Sequence, residues 1–232
     1  MKLKKNSFYD SRIVFKPWGY EYVVFRHKKM LSITLLNINS NKSTSLHCHP
    51  TKKTGFVLLD GRASIQLGLS KNEKKFFKSP SKLMIRTGLF HSIKCISKRP
   101  LIALEFETPV NKNDLVRFND KYGREKKSYE KGKKISKNNL NLIKLKNFKG
   151  GQKYEFGKTR VSLESHKNFK KLIKEKNSVI FAIINGNVSN KKNQKVLSPG
   201  DIIRTGTLKK LALKFKIKNK LNLLKISYDK KL

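Results

Sequence analysis

The sequence predicts an all-β fold, a barrel or sandwich, on three observations. Short β-branched or aliphatic runs recur at residues 33–38, 55–67, 82–85, 101–107, 178–184 and 211–217. Clusters of Gly, Asn, Ser and Pro break them at short intervals, the spacing of sheets joined by tight turns. Helical periodicity is weak, and its best stretch is 166–175, where Phe169, Leu172 and Ile173 share a face.

The order of the runs adds an internal repeat. Met84-Ile85-Arg86-Thr87-Gly88-Leu89-Phe90-His91 resembles Ile202-Ile203-Arg204-Thr205-Gly206-Thr207-Leu208-Lys209. Upstream, Phe56-Val57-Leu58-Leu59-Asp60-Gly61 resembles Phe181-Ala182-Ile183-Ile184-Asn185-Gly186. Two matched pairs in one order predict two tandem barrels: residues 1–125, a polar linker at 126–139 rich in Lys, Ser and Gly, and a second barrel at 140–232. The second copy has Lys209 where the first has His91, and it has no His-x-His. It is expected to keep the shape without metal ligands.

Composition sets limits on function. Hydrophobic residues make up 37% and aromatics 9% of 232 residues, enough to fill real cores rather than leave a disordered chain. No run approaches the ~18 apolar residues of a membrane span. Met1-Lys2-Leu3-Lys4-Lys5 has no apolar segment behind it, so no secretory signal is expected. Cys48 and Cys95 do not make a disulfide framework. The expectation is a soluble cytoplasmic protein.

The formal net charge is +40. A nucleic-acid partner is not expected, because the excess is mostly Lys spread along the whole chain, as A/T-rich codons alone would give. No helix-turn-helix, zinc-finger or RNA-binding signature accompanies it. The field it creates should draw anionic small molecules toward any cleft.

The chemistry is concentrated in three histidines. In His47-Cys48-His49 alternate side chains of a strand point the same way, so both imidazoles share a side. His91, after the Arg86-Thr87-Gly88 turn, is the natural third ligand from another strand. Three neutral imidazoles leave open positions on Zn²⁺, Mn²⁺, Fe²⁺, Co²⁺ or Ni²⁺. His27 is expected in an exposed turn and His166 on a helix surface. Cys48 and Cys95 read as ordinary buried thiols.

These residues resemble the two cupin motifs, Gly-x5-His-x-His-x(3,4)-Glu-x6-Gly and Gly-x5-Pro-x-Gly-x2-His-x3-Asn. The resemblance implies a jelly-roll β-barrel, doubled here into a bicupin. Two positions depart from the pattern: Thr54 stands for the motif's Glu and Arg86 for its Pro. Glu105 and Glu107, on a later strand, are candidates to supply the missing carboxylate.

The flanks are similar to a narrower family. Lys16-Pro17-Trp18-Gly19-Tyr20-Glu21 resembles the Arg-Pro-Trp-Gly-x-Tyr opening of type II mannose-6-phosphate isomerase cupins, which are often fused behind a mannose-1-phosphate guanylyltransferase domain. Asn113-Asp114-Leu115-Val116-Arg117-Phe118-Asn119-Asp120-Lys121-Tyr122-Gly123-Arg124 resembles the family's Asp-Asp-Ile-Val-Arg-x-Asp-Asp-x-Tyr-Gly-Arg ending. No guanylyltransferase nucleotide loop is present in this sequence. The resemblance implies isomerisation of a sugar phosphate in polysaccharide or lipopolysaccharide precursor synthesis. Arg124 is implied as catalytic, and Arg117 and Lys121 are cations suited to phosphate or enediolate charge. It also implies pairing of sheets into a homodimer, which the doubled chain could mimic alone. Two other functions fit the ligand set: a three-His iron dioxygenase, and a non-catalytic sugar-binding bicupin.

Overall fold

The alternation in β3 (Leu31–Ile38) sets the architecture. Leu31, Ile33 and Leu35 point to one side, and Leu36 and Ile38 to the other, and both sides are buried. A strand apolar on two faces must lie between two layers. The computed structural model describes residues 12–27, 29–111, 113–124, 133–134, 143, 145 and 151–229.

In chain order the other N-terminal strands are β1 (Arg12–Lys16), β2 (Gly19–His27), β4 (Leu46–Cys48), β5 (Lys53–Asp60), β6 (Arg62–Leu67), β7 (Lys74–Lys78), β8 (Ser81–Ile85), β9 (His91–Cys95), β10 (Leu101–Thr108) and β11 (Val116–Asn119). The short β12 (Lys133–Lys134) pairs with Arg12 and Ile13. The rest of the expected linker lies outside the described residues. One sheet has the order β12-β1-β2-β3-β10-β5-β8, and the facing sheet the order β11-β4-β9-β6-β7. Leu36, Ile38, Phe56, Leu58 and Leu101 from the first meet Ala63, Ile65, Ile93 and Cys95 from the second. This is a cupin barrel of antiparallel strands.

The C-terminal half contributes β13 (Lys153–Phe156), β14 (Thr159–His166), β15 (Ile180–Ser189), β16 (Lys195–Leu197), β17 (Ile202–Arg204), the helix α1 (Thr205–Ala212) and β18 (Lys216–Tyr228). They form one six-stranded sheet, β13-β14-β18-β15-β16, with β17 beside β15. Ile180, Ala182, Ile184, Leu224 and Ile226 pack against the outer face of the barrel's seven-stranded sheet. The other face is covered by Leu208 of α1 and by Phe169 and Leu172 around a 3₁₀ turn at Leu172–Lys174. Contact between the layers is close: a Cβ on Gly55 would lie 2.6 Å from Ile202 Cδ1.

The matched segments of the repeat recur as paired strands, β5 with β8 and β15 with β17. They part at Thr205, where α1 begins. The strand expected at 211–217 is therefore the end of α1 followed by the start of β18. Leu208, Leu211 and Ala212, spaced i, i+3 and i+4, give α1 an apolar stripe that is buried on the sheet. The helical surface expected for His166 is instead the last residue of β14, with Nε2 2.9 Å from Glu164 Oε2.

Candidate metal centre

β4 lies between β11 and β9, and this places the histidines. His47 and His91 are direct cross-strand partners, and His49 follows β4 on the same side as His47. The ring centroids are 5.0 Å apart for His47 and His49, 4.6 Å for His47 and His91, and 5.4 Å for His49 and His91. One ligand nitrogen from each lies within 4.8 Å of the others. Gly88 makes the turn before His91: its φ of +73° favours glycine, and its N–H donates to the His49 carbonyl at 2.8 Å. The two motifs are thus tied through backbone.

Each ring is oriented by its Nδ1. His47 Nδ1 faces the Ser45 carbonyl at 2.9 Å, His49 Nδ1 the Asp114 carbonyl at 2.6 Å, and His91 Nδ1 the Leu89 carbonyl at 2.9 Å. A carbonyl only accepts, so each Nδ1 carries the proton and each Nε2 keeps its lone pair. The Nε2 atoms of His49 and His91 are buried with no hydrogen-bond partner in the structure. Buried polar atoms are seldom left unpaired, and these two nitrogens together with one from His47 make a donor set that fits a divalent transition metal.

Burial is also what keeps the rings neutral. It lowers His47 well below the usual imidazole value, and His91 and His49 add to the fall. Burial lowers His49 to about 4, with the Lys52 charge adding to the effect, and lowers His91 to about 4. At neutral pH all three rings are in the ligating form.

His47 and His49 open into a cleft lined also by Trp18, Glu105, Glu107, Arg117 and Arg124. Trp18 is buried among the barrel's apolar side chains. Arg124 is 6% exposed, and its Nε and Nη2 donate to Asp120 Oδ2 and Oδ1, each at 2.7 Å. Its backbone N–H donates to Asp120 Oδ2 at 2.9 Å. Arg117 lies opposite His47 in the β11–β4 ladder, and its Nη1 donates to the Arg124 carbonyl at 3.3 Å. The structure therefore brings His47, His49, Arg117 and Arg124 to one cleft, with His91 paired to His47 beside it. Lys121 is not among them, because it sits exposed in the turn between Asp120 and Gly123.

Three contributors were not legible in the sequence reading. Lys52 is completely buried beside the cleft and pairs with Glu107. Lys16 lines the cleft with its Nζ 3.5 Å from Glu21 Oε1. Asp114 orients His49 through its carbonyl, while its carboxylate accepts from the backbone N–H of Thr51 at 3.0 Å and of Lys52 at 2.8 Å. Cys48 and Cys95 are free and buried, and burial pushes the Cys48 thiol up. Among the described residues no helix is long and apolar enough to cross a membrane.

Several solved structures are similar to part of the chain. The chain is similar to BH2720 from Bacillus halodurans (20% identity, 47% of this chain and 75% of that one, TM-score 0.37). It is similar to the capsular polysaccharide assembling protein CapF from Staphylococcus aureus (13% identity, 47% and 34%, TM-score 0.40). It is also similar to KdgF from a Halomonas species (13% identity, 42% and 86%, TM-score 0.38). No curated protein sequence matches it. A family model described as mannose-6-phosphate isomerase C-terminal matches residues 4–120, half of the chain, including every residue of the three-His group. By that match the chain belongs to the mannose-6-phosphate isomerase C-terminal family of cupins.

Proposed function

We propose that the N-terminal barrel binds one divalent metal through His47, His49 and His91 and isomerises or epimerises an anionic sugar, with a sugar phosphate as substrate. One observation carries this reading: the buried, unpartnered Nε2 atoms of His49 and His91 lie in one three-His group with His47, and His47 and His49 line a cleft whose walls also hold Arg117 and Arg124. A divalent ion in that site supplies Lewis-acid polarisation of a carbonyl oxygen.

The chain's own residues divide the remaining work. Arg124 is a fixed, always-charged fork suited to phosphate oxygens, and Asp120 holds its plane. Arg117 adds a second cation on the same wall. Glu105 lines the cleft from β10 and can accept a sugar hydroxyl or take a proton from the carbon beside the carbonyl. Trp18 and the apolar barrel floor exclude water from the inner end. The segment expected as a second barrel reads as a relic of one, and its sheet β13-β14-β18-β15-β16 covers the outer face of the first.

The test is turnover. Metal-loaded protein is incubated with aldose and ketose phosphates of five and six carbons, and interconversion is followed by NMR. Conversion of one pair, lost in Arg124→Ala, is the expected result. Metal uptake with no conversion of any of these substrates would overturn the catalytic reading.

A further inference from the structure

Lys52 and Glu107 form a buried ion pair that the three-His site does not by itself require. Lys52 is 0% exposed, and its Nζ donates both to Glu107 and to the Asn111 carbonyl, the latter at 3.1 Å. Burying an ammonium group is costly unless a partner matches it. Glu107 is 3% exposed, lines the cleft, and is the direct cross-strand partner of Thr54 in the β10–β5 ladder. Thr54 is where the cupin motif carries a glutamate. Its Oγ1 is buried with no hydrogen-bond partner in the structure. A carboxylate absent from position 54 is thus present one strand away, on the same inner face.

We propose that Glu107 is the relocated carboxylate of this metal site, and that Lys52 is its internal counter-cation, opposing a bound metal for the same negative charge. The proposal rests on the reading that the three histidines hold a metal. Glu107 lies outside the three-His group, so it acts as a positioning residue beyond the ligands. Glu107 lines the same cleft as His47 and His49, and Lys52, three residues after His49, is paired to it. A divalent cation held by the histidines would feel both charges. An ion pair that only holds the fold is damaged by loss of either member. In this couple the two losses have opposite signs for metal affinity.

The experiment titrates Zn²⁺ against a competing chelator into full-length, metal-stripped protein, with folding followed by thermal melts. The proteins are the parent, Lys52→Met, Glu107→Gln, and the paired Lys52→Met/Glu107→Gln variant. Lys52→Met is expected to bind at least about tenfold tighter and Glu107→Gln at least about tenfold weaker, in the range typical of residues outside the ligand shell. The paired variant removes both members of the ion pair together, so it stays informative if a single variant does not fold. It is expected to bind several-fold weaker than the parent, and adding Thr54→Glu is expected to restore affinity. Parental affinity in Glu107→Gln or in the paired variant overturns the proposal, as does weaker binding by a folded Lys52→Met. A parent that takes up no Zn²⁺ overturns the metal reading with it. A parent that binds beside a flat variant series overturns only the assignment of the couple.

Discussion

His47 and His91 are partners in the β4–β9 ladder, with ring centroids 4.6 Å apart. The two sequence motifs, some forty residues apart in the chain, therefore meet as neighbouring rungs of one sheet. His47→Ala or His91→Ala is expected to abolish metal uptake. Elemental analysis should give about one equivalent of transition metal in the parent and none in either variant. Added Zn²⁺ should raise the melting temperature of the parent alone. A parent without metal after reloading would refute the assignment.

Asp120 holds Arg124 by two hydrogen bonds of 2.7 Å each. Charge-assisted bonds of this kind contribute about 1.5–3 kcal/mol, so Asp120→Asn is expected to raise KM for a sugar phosphate about tenfold. Metal content should stay at the parental level. Arg124→Lys should not rescue binding, because an ammonium lacks the planar fork. Unchanged KM in both variants would remove Arg124 from the substrate site.

The same pair predicts a pH dependence of stability. Burial raises the Asp120 carboxyl, but hydrogen bonds and charge from Arg124 overcome it and hold the group below its ordinary 3.8. The folded value is lower than the unfolded one, so the contribution is fully present above about pH 4 and lost as pH falls through the folded value. Urea unfolding at pH 7 should therefore separate the parent from Asp120→Asn, and the gap should narrow at pH 3. A gap that is the same at both pH values would contradict this.

Packing between the barrel and the C-terminal sheet should dominate over ion pairing between them. Ile33 is completely buried there, and Ile33→Ala is expected to cost about 2–5 kcal/mol. Lys53 Nζ lies 2.6 Å from Asp201, but the two side chains are 39% and 21% exposed. Lys53→Ala should cost less than about 1 kcal/mol. Denaturant titration of the two variants settles the order.

Much of the barrel was legible because β3, β5 and β10 are apolar on both faces, so each reads as a continuous run of hydrophobic residues. The histidines were legible because the motif fixes their spacing. Lys52 was not, since it is one lysine in a chain with 55 basic residues and Lys53 beside it is partly exposed. The available signal was parity: counting back two from Thr54, which faces inward, reaches Lys52. Asp114 acts on His49 through a backbone carbonyl, which any residue type supplies. The helix α1 was hidden by its likeness to Met84–His91, although Leu208, Leu211 and Ala212 carry a helical spacing.

The layer of apolar side chains between the barrel and the C-terminal sheet has a thermodynamic consequence. Leu31, Ile33, Val57 and Phe106 from one half share it with Ile180, Ala182, Leu224 and Ile226 from the other. Neither half can shed its neighbour without wetting the strands that carry its own framework. The two halves are therefore bound into one cooperative unit, and severing the chain between them would leave the half that carries the three histidines with its widest sheet bare.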